Sequence, residues 1–193
     1  MPDSNWDAIY KNSEVEQLPW YHSELDHDIK KELELRKIKS GTFWDLGTGP
    51  GTQAAALAKL GFKVTATDIS NVAIEKAKKC YKDITFVSDD ITKSKLQGHF
   101  DYIFDRGCFH SLDPDEWKIY INTVNHRLRK GGLLFLKCFS IKEKTVKGPY
   151  RFSIEEIDHL FRKDFVIEKI VETEFKGTLH PNPKALFIVL KKK

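Results

Sequence analysis

The chain has 193 residues, 40% of them hydrophobic, which is enough to bury one substantial core and predicts a single domain over 1–193. Its formal net charge of +4 includes three consecutive C-terminal lysines, so the remaining sequence is almost neutral and shows no basic stripe for nucleic acid. No apolar run is long enough for a membrane span or a signal peptide, which favours a cytoplasmic protein without a membrane partner. The three cysteines and seven histidines lack the spacing of a metal site, and no metal is expected.

The segment 1–40 is predicted to form an aromatic lid followed by a helix, ahead of a core over 41–193. Trp6 and Trp20 belong to a polar segment with a high aromatic content, and aromatic side chains in such a segment usually cover something. After Ser23, which suits an N-cap, apolar residues recur at helical spacing up to the start of that core.

The most informative pattern is a strand, a glycine-rich turn and a helix in immediate succession. The strand is predicted over 42–46 and the alanine-rich helix over 52–60, and glycines alternate between them. Glycine lets the backbone turn sharply and lets a ligand approach bare peptide groups, while the helix start offers free N–H groups. The third glycine comes too early for a dinucleotide turn, G-x-G-x-x-G. A tight turn without a ligand is the alternative. The predicted cofactor turn consists of Leu46, Gly47, Thr48, Gly49 and Gly51.

Two carboxylates flank this turn and indicate the chemistry of its ligand. Asp68 follows the next predicted strand, 63–67, about 20 residues after the turn, where an acidic side chain accepts hydrogen bonds from ribose hydroxyls. Asp45 lies at the mouth of the turn, where it would repel a pyrophosphate but attract an ammonium group. A ligand with a ribose and a cationic amino acid end suits both. We expect S-adenosylmethionine, with S-adenosylhomocysteine as its product, and include Ile69 among its contacts.

A further acidic pair follows the third predicted strand, 84–88. One carboxylate of this pair is placed to accept a hydrogen bond from the adenine amino group, and we favour Asp90, with Ile91 beside it. Tandem helix N-capping is the alternative interpretation of the pair.

The alternation of strands and helices is lost only near the C-terminal end, where two consecutive strands have no helix between them. Such strands pair antiparallel, because parallel neighbours need a crossover connection. We therefore predict an α/β fold, a Rossmann-like doubly wound sheet of mostly parallel strands that ends in an antiparallel β-hairpin. The other predicted elements are the strands 100–105, 132–138, 165–173 and 184–190, and the helices 71–80, 114–129 and one capped by Ser153.

Three stretches of the sequence resemble one known protein family. They are the aromatic N-terminal segment with Pro19-Trp20, the run from Phe100 to Gly107, and Gly148-Pro149-Tyr150. Together with the glycine turn they are similar to the class I S-adenosylmethionine-dependent methyltransferases, and within these to the thiopurine S-methyltransferase and tellurite-resistance group. The resemblance covers essentially the whole chain and implies the seven-stranded methyltransferase fold.

The resemblance also implies roles for particular residues. The tryptophans of the N-terminal segment would lie over the cofactor, Leu46 and Asp68 would contact it, and Arg106 would lie between cofactor and acceptor. The family's substrate lid maps to the loop 140–150 and to the N-terminal segment. The further contacts expected are Asp105 with the cofactor, and Phe109 and Tyr150 with the acceptor.

The expected reaction is methyl transfer to a small molecule, with a thiol or another soft nucleophile as the leading acceptor. Arg106 would favour a thiolate, whereas His110 would remove a proton from a hydroxyl or amine acceptor. Alternatively, Arg106 pairs with Asp105 or a neighbouring carboxylate, and His110 caps a turn. Methylation of a protein side chain or another macromolecule is the second function considered, and a module that only senses the cofactor is the third. A monomer or weak homodimer is expected.

Overall fold

A computed structural model describes residues 5–144 and 148–193 of the chain. The helices are α1 (Trp6–Asn12), α2 (His27–Leu35), α3 (Thr52–Lys59), α4 (Asn71–Cys80), α5 (Trp117–Arg127) and α6 (Ile154–Phe161). The strands are β1 (Thr42–Leu46), β2 (Lys63–Asp68), β3 (Thr85–Ser88), β4 (Phe100–Arg106), β5 (Leu128–Ser140), β6 (Arg151–Phe152), β7 (Phe165–Glu174) and β8 (Lys184–Lys192). Short 3-10 turns lie at Val15–Gln17, Ile91–Lys93 and Phe109–Ser111. Of the loop predicted over 140–150, residues 145–147 lie outside the described residues.

The strands form one mixed sheet in the order β3-β2-β1-β4-β5-β8-β7, with β6 beside the end of β5. Strands β1 to β5 are parallel, and β8 is antiparallel to both β5 and β7. The predicted fold class is confirmed. The strand order reverses between β1 and β4, and in such sheets ligands bind at the carboxyl ends of the strands on either side of that point.

The sheet separates two apolar layers, as neighbouring residues of β1 illustrate. Phe43 packs in the layer that contains α2, α3 and α4, whereas Trp44 packs in the layer that contains α5 and α6. Both side chains are fully buried, because helices cover both faces of a parallel sheet. The described helices include none that is both apolar and long enough to cross a bilayer.

Helix α2 begins later than predicted. Its N-cap is Asp26, whose Oδ1 accepts the amide of Asp28 at 3.0 Å, rather than Ser23. Residues 21–26 form no helix, and the backbone carbonyls of His22 and Glu24 accept hydrogen bonds from Gln53 at the start of α3. The N-terminal segment also contains the helix α1, which the sequence pattern did not indicate.

The boundary between α5 and β5 also differs from the prediction. Helix α5 begins at Trp117 rather than at residue 114, with Glu116 as its N-cap, and the Asp113 amide donates to the Glu116 carboxylate at 3.0 Å. Strand β5 already begins at Leu128 rather than at residue 132, and Gly131 and Gly132 lie inside it. There the pairing of β4 with β5 shifts register, which the flexible glycines accommodate.

Candidate active site

The glycine turn between β1 and α3 lies at the carboxyl ends of β1 and β2. Gly47, Gly49 and Gly51 have φ values of +69°, +54° and +81°, which L side chains adopt with strain. A Cβ built on Gly51 would also lie 2.9 Å from the ring of Phe86. The Thr48 amide donates to the backbone of β2 at 2.8 Å, which fixes the turn on the sheet. The turn therefore requires glycine at three positions, and it lies where the topology predicts a ligand.

Asp68 ends β2 beside this turn, and both of its carboxylate oxygens are held by backbone amides. Gly49 N–H donates to Oδ2 and Ser70 N–H donates to Oδ1, each at 2.8 Å. Burial raises the pKa of Asp68, and the two amide donors oppose that effect. Each oxygen retains a further lone pair for a hydroxyl donor.

Asp45 is buried behind the turn, where its Oδ2 accepts a hydrogen bond from the Thr48 hydroxyl at 2.5 Å. Burial raises the pKa of this carboxyl to about 7, and the negative charges of Asp105 and Asp68 add to the effect. An ammonium group nearby would stabilise the ionised form and lower this pKa. Asp45 lies behind the turn rather than at its mouth, and its contact with a cationic ligand group stays a prediction.

Helix α1 lies over the glycine turn through Tyr10. A Cβ on Gly49 would lie only 2.6 Å from the Tyr10 hydroxyl oxygen, so the phenol rests directly on the turn. The ring of Trp20 packs edge-on against Trp6 at 5.8 Å and against Tyr10 at 6.2 Å between centroids. The predicted aromatic residues therefore form one cluster with Tyr10 over the turn. We call the described part of this segment, residues 5–21, the lid.

Two buried cations meet two carboxylates at the carboxyl ends of β4 and β5. Arg106 and Lys137 are register partners on these strands. Asp26 Oδ2 accepts Arg106 Nε at 2.8 Å and Lys137 Nζ at 2.9 Å, and Asp28 Oδ2 accepts the same ammonium at 2.7 Å. The ring of Phe175 covers both cations at 5.3 and 5.5 Å from its centroid. Because the four charges cancel, the cluster adds little net field to the site.

Arg106 also joins the lid to the loop between β7 and β8. Its guanidinium donates to the carbonyl of Trp20 at 3.0 Å and to the carbonyl of Lys176. Its ionic partner is Asp26 and not Asp105, so the alternative of pairing with a neighbouring carboxylate is the one observed. Through its hydrogen bond to Trp20, Arg106 holds the end of the lid against β4.

Asp105, predicted to contact the cofactor, instead organises the turn after β4. Its carboxylate accepts the amides of residues 107, 108 and 109 at 2.7–3.0 Å and the Tyr120 hydroxyl at 2.7 Å. The residue is 0% exposed, and burial raises its pKa to about 6. Four donors occupy its oxygens, so the predicted cofactor contact of this side chain is wrong.

His110 is a buried, neutral imidazole in this site. Its Nδ1 accepts the amide of Phe139 at 2.9 Å, which places the ring proton on Nε2. Burial lowers its pKa to about 3, and the Arg106 charge acts in the same direction. The ring packs against Phe139 at 4.6 Å and Phe175 at 5.5 Å. The prediction that His110 acts as a general base is therefore not supported, because its acceptor nitrogen is occupied.

The remaining predicted contact residues differ in where the structure places them. Phe109 is 0% exposed and packs in the core against Phe152 at 5.0 Å, so its predicted contact with the acceptor is wrong. Asp90 caps a 3-10 turn by accepting the amide and hydroxyl of Thr92. Tyr150 lies beside His110, whose carbonyl accepts its amide at 2.8 Å. The side chains of Leu46 and Ile91 are buried in the core, whereas Ile69 is 55% exposed.

The sequence interpretation assigned no site role to Asp7, Asp26, Lys137 or Phe175, and it counted Tyr10 only among the aromatic residues of the N-terminal segment. A signal for Tyr10 was present, because it follows Trp6 by four residues and shares its helix face. Lys137 interrupts the apolar run of β5, and a lysine inside a buried strand requires an anionic partner. Nothing in the sequence shows that this partner is Asp26, 111 residues away. The described residues include no group of three side chains suited to hold a metal ion.

Comparison with known proteins gives a consistent result. A protein family model for a methyltransferase domain matches residues 43–132. An uncharacterised methyltransferase of Schizosaccharomyces pombe is 34% identical over 124 residues, which are 62% of this chain and 83% of that protein. The Arabidopsis thaliana protein named "Probable thiol methyltransferase 2" is 27% identical over 171 residues, or 85% of this chain and 76% of the relative.

Solved structures share the fold across almost the whole chain. One solved structure concerns the conversion of a disulfide bond into a thioacetal group during echinomycin biosynthesis. It superposes on this chain with a TM-score of 0.83 and 21% identity, and the match covers 97% of this chain and 91% of that one. The Burkholderia thailandensis 1,6-didemethyltoxoflavin-N1-methyltransferase, with S-adenosylhomocysteine bound, has a TM-score of 0.70 and 20% identity, covering 86% and 77%. At these identities the likeness shows the fold.

Proposed function

We propose that this chain, which belongs to the class I S-adenosylmethionine-dependent methyltransferases, methylates the sulfur atom of a small thiol. The observation that carries this proposal is the state of His110, which is neutral and uses its acceptor nitrogen for the Phe139 amide. Because His110 does not serve as a base, the site favours an acceptor that ionises without help.

The described residues fit the cofactor, which supplies the methyl group on a sulfonium sulfur. The turn carries no side chain at Gly47, Gly49 and Gly51, and Asp68 presents carboxylate oxygens for the ribose hydroxyls. We assign Asp45 to the ammonium group and Asp90 to the adenine amino group, with Trp6 and Trp20 as the aromatic cover. Orienting the two reactants is the main task, and such positioning can supply about 7 to 11 kcal/mol of the barrier.

Acceptors differ in how much they need a base. A thiol with a pKa near 8.5 is already a thiolate to a few per cent at neutral pH and is strongly nucleophilic. Hydroxyl acceptors require deprotonation by a positioned side chain, for which His110 is unsuited. We therefore assign His110 the role of donating its Nε2–H to the acceptor sulfur, and the acceptor proton is lost to solvent before methyl transfer.

The charges and the cover of the site support a small acceptor. Arg106 and Lys137 are matched by Asp26 and Asp28, so no excess positive charge favours a strongly anionic substrate. The lid packs on the glycine turn, which leaves less access for a macromolecule. The relative named for a thiol acceptor supports the same substrate class.

The proposal is tested by comparing thiophenol, phenol and aniline, which present sulfur, oxygen and nitrogen on the same ring. We expect methylation of thiophenol only, detected as thioanisole by mass spectrometry. Thiocyanate and a lysine-containing peptide test the anionic and macromolecular alternatives. Preferred methylation of aniline, phenol or the peptide would overturn the proposal. Asp68→Ala, which removes the assigned ribose contact, serves as the inactive control.

The pH dependence of the rate separates a base-free mechanism from a base-assisted one. With two thiols of different acidity, the midpoint of the rate profile should follow the pKa of each thiol. If a protein base removed the proton, both profiles would instead share one midpoint set by the enzyme.

A further inference from the structure

The two backbone amides that hold Asp68 belong to the two residues on which the lid rests. Gly49 and Ser70 each donate to the Asp68 carboxylate at 2.8 Å. The Tyr10 hydroxyl lies directly against Gly49. Asp7 of the same helix accepts the Ser70 hydroxyl at 2.6 Å. Helix α1 therefore contacts both supports of the carboxylate assigned to the ribose.

The contact of Asp7 with Ser70 is part of a local network at the start of α4. Asp7 Oδ1 also accepts the amide of Val72 at 3.1 Å, while Ser70 Oγ accepts the amide of Ala73 at 3.1 Å as the N-cap. The Ser70 hydroxyl and the Val72 amide lower the pKa of Asp7, so it is ionised at neutral pH. Ser70 is thus held from the lid side by its hydroxyl and holds Asp68 by its amide.

We infer that Asp7 is a positioning residue for the cofactor: by docking the lid on Ser70 it fixes the Asp68 carboxylate toward the ribose. Lid closure and ribose recognition are then one coupled step. This inference rests on the proposed placement of the ribose at Asp68. Tyr10 provides the second point of support, on Gly49, so α1 cannot leave the turn without releasing both.

A purely structural role makes a different prediction. If Asp7 only caps α4, its removal lowers the stability of the ligand-free protein and weakens all adenosyl ligands alike. If it orients Asp68, its removal weakens mainly those ligands whose ribose hydroxyl meets that carboxylate. Binding selectivity, measured apart from catalysis, therefore distinguishes the two roles.

The test is calorimetric titration with S-adenosylhomocysteine and with its 2′-deoxy analogue. For Asp7→Ala we expect about fivefold weaker binding of the first ligand, a typical effect of losing such a hydrogen bond, and a smaller loss for the analogue. Asp7→Asn retains an oxygen acceptor for the Ser70 hydroxyl and should recover most of the selectivity. Glu14→Ala removes another exposed carboxylate from the lid and should bind as the wild type does.

Measuring Asp68→Ala with the same two ligands separates a failure of the inference about Asp7 from a failure of the ribose placement. If Asp68→Ala loses selectivity between the two ligands while Asp7→Ala keeps it, the inference about Asp7 is wrong and the ribose placement stands. Equal weakening of both ligands by Asp7→Ala also contradicts the inference. If Asp68→Ala binds both ligands as the wild type does, the ribose placement itself fails.

Discussion

The side-chain amide of Gln53 and the backbone of Asp26 are joined by a buried hydrogen bond of 2.8 Å, in which the Asp26 N–H donates. The same side chain donates to the carbonyls of Glu24 at 2.9 Å and His22 at 3.3 Å. Gln53 lies in the first turn of α3, directly after the glycine turn. The helix that begins at the cofactor turn therefore also fixes the point where the chain leaves the lid and enters α2.

Replacing Gln53 with Ala should loosen this junction. The change leaves the Asp26 amide without its buried partner, which costs about 1 to 3 kcal/mol in the free energy of unfolding. Urea unfolding measures that loss. Gln97→Ala is the matched control, since Gln97 bonds only the nearby carbonyl of Lys95 at the surface and should change stability by less than about 0.5 kcal/mol. Equal effects of the two changes would contradict the assignment.

Replacing Lys137 with Met should strongly destabilise the protein. Lys137 is 1% exposed, and its loss leaves two carboxylates with one remaining cation, Arg106. Breaking a buried ion pair in this way costs about 3 to 5 kcal/mol. The control is Lys184→Met at the exposed pair with Glu174, for which about 0 to 1 kcal/mol is expected. A loss at Lys137 as small as that of the control would show that the cluster is not desolvated.

Asp45 should make the stability of the ligand-free protein depend on pH. Its pKa rises from 3.8 to about 7 on folding. Between these values the native state holds a proton that the unfolded state has lost, so the free energy of unfolding falls as pH rises, by at most about 1.4 kcal/mol per pH unit. Above about pH 7 this contribution is constant. Asp45→Asn removes it, whereas Asp105, with a pKa of about 6, retains a slope of the same sign. Parallel wild-type and Asp45→Asn curves between pH 4 and 7 would contradict the raised pKa.

Cofactor binding should release a proton near neutral pH. If the ammonium group of the ligand lies beside Asp45, it lowers the pKa of that carboxyl, and the proton held at pH 6.5 to 7 is expelled. Titration of S-adenosylhomocysteine in two buffers of different ionisation enthalpy measures the number of protons released. Asp45→Asn should abolish the difference between buffers. An unchanged difference in the variant would place the ammonium elsewhere.

Gly49→Ala should displace the lid from the turn. Alanine adopts a φ of +54° at a cost of about 1 kcal/mol, and its Cβ would also meet the Tyr10 hydroxyl oxygen at 2.6 Å. Gly61→Ala is the matched control, because Gly61 has a φ of +93° but nothing within 4 Å of its Cβ position. We expect both variants to lose stability and only Gly49→Ala to change the fluorescence of Trp6 and Trp20. An unchanged fluorescence in Gly49→Ala would contradict the contact.

The sequence predicted the parts of the molecule that depend on local patterns. The glycines at 47, 49 and 51 need positive φ values, and the missing helix between β7 and β8 requires antiparallel pairing, so turn and sheet followed from spacing alone. Asp68 lies at the end of the predicted second strand, and its contact with the ribose stays a prediction. Such features can be predicted because the backbone geometry of a turn or a strand pair depends on residues close together in the sequence.

Contacts between distant segments were not predictable in this way. The pairing of Lys137 with Asp26 depends on how α2 packs across the sheet ends, and no periodicity encodes it. Phe109 illustrates the opposite error, because an aromatic residue after β4 suits a ligand contact and a core position equally well. Likewise, the sequence did not show that Nδ1 of His110 accepts a backbone amide of β5 and is therefore not free to act as a base. Each case was decided by a neighbour far away in the chain.

The position of β8 has a consequence for the order in which the protein folds during synthesis. This strand lies inside the sheet, between β5 and β7, although residues 184–192 leave the ribosome after both of its neighbours. Until then most of the apolar strand β5 has an open edge of unpaired backbone groups. The nascent chain is therefore exposed to wrong strand pairing at β5 until β8 has been synthesised and has inserted.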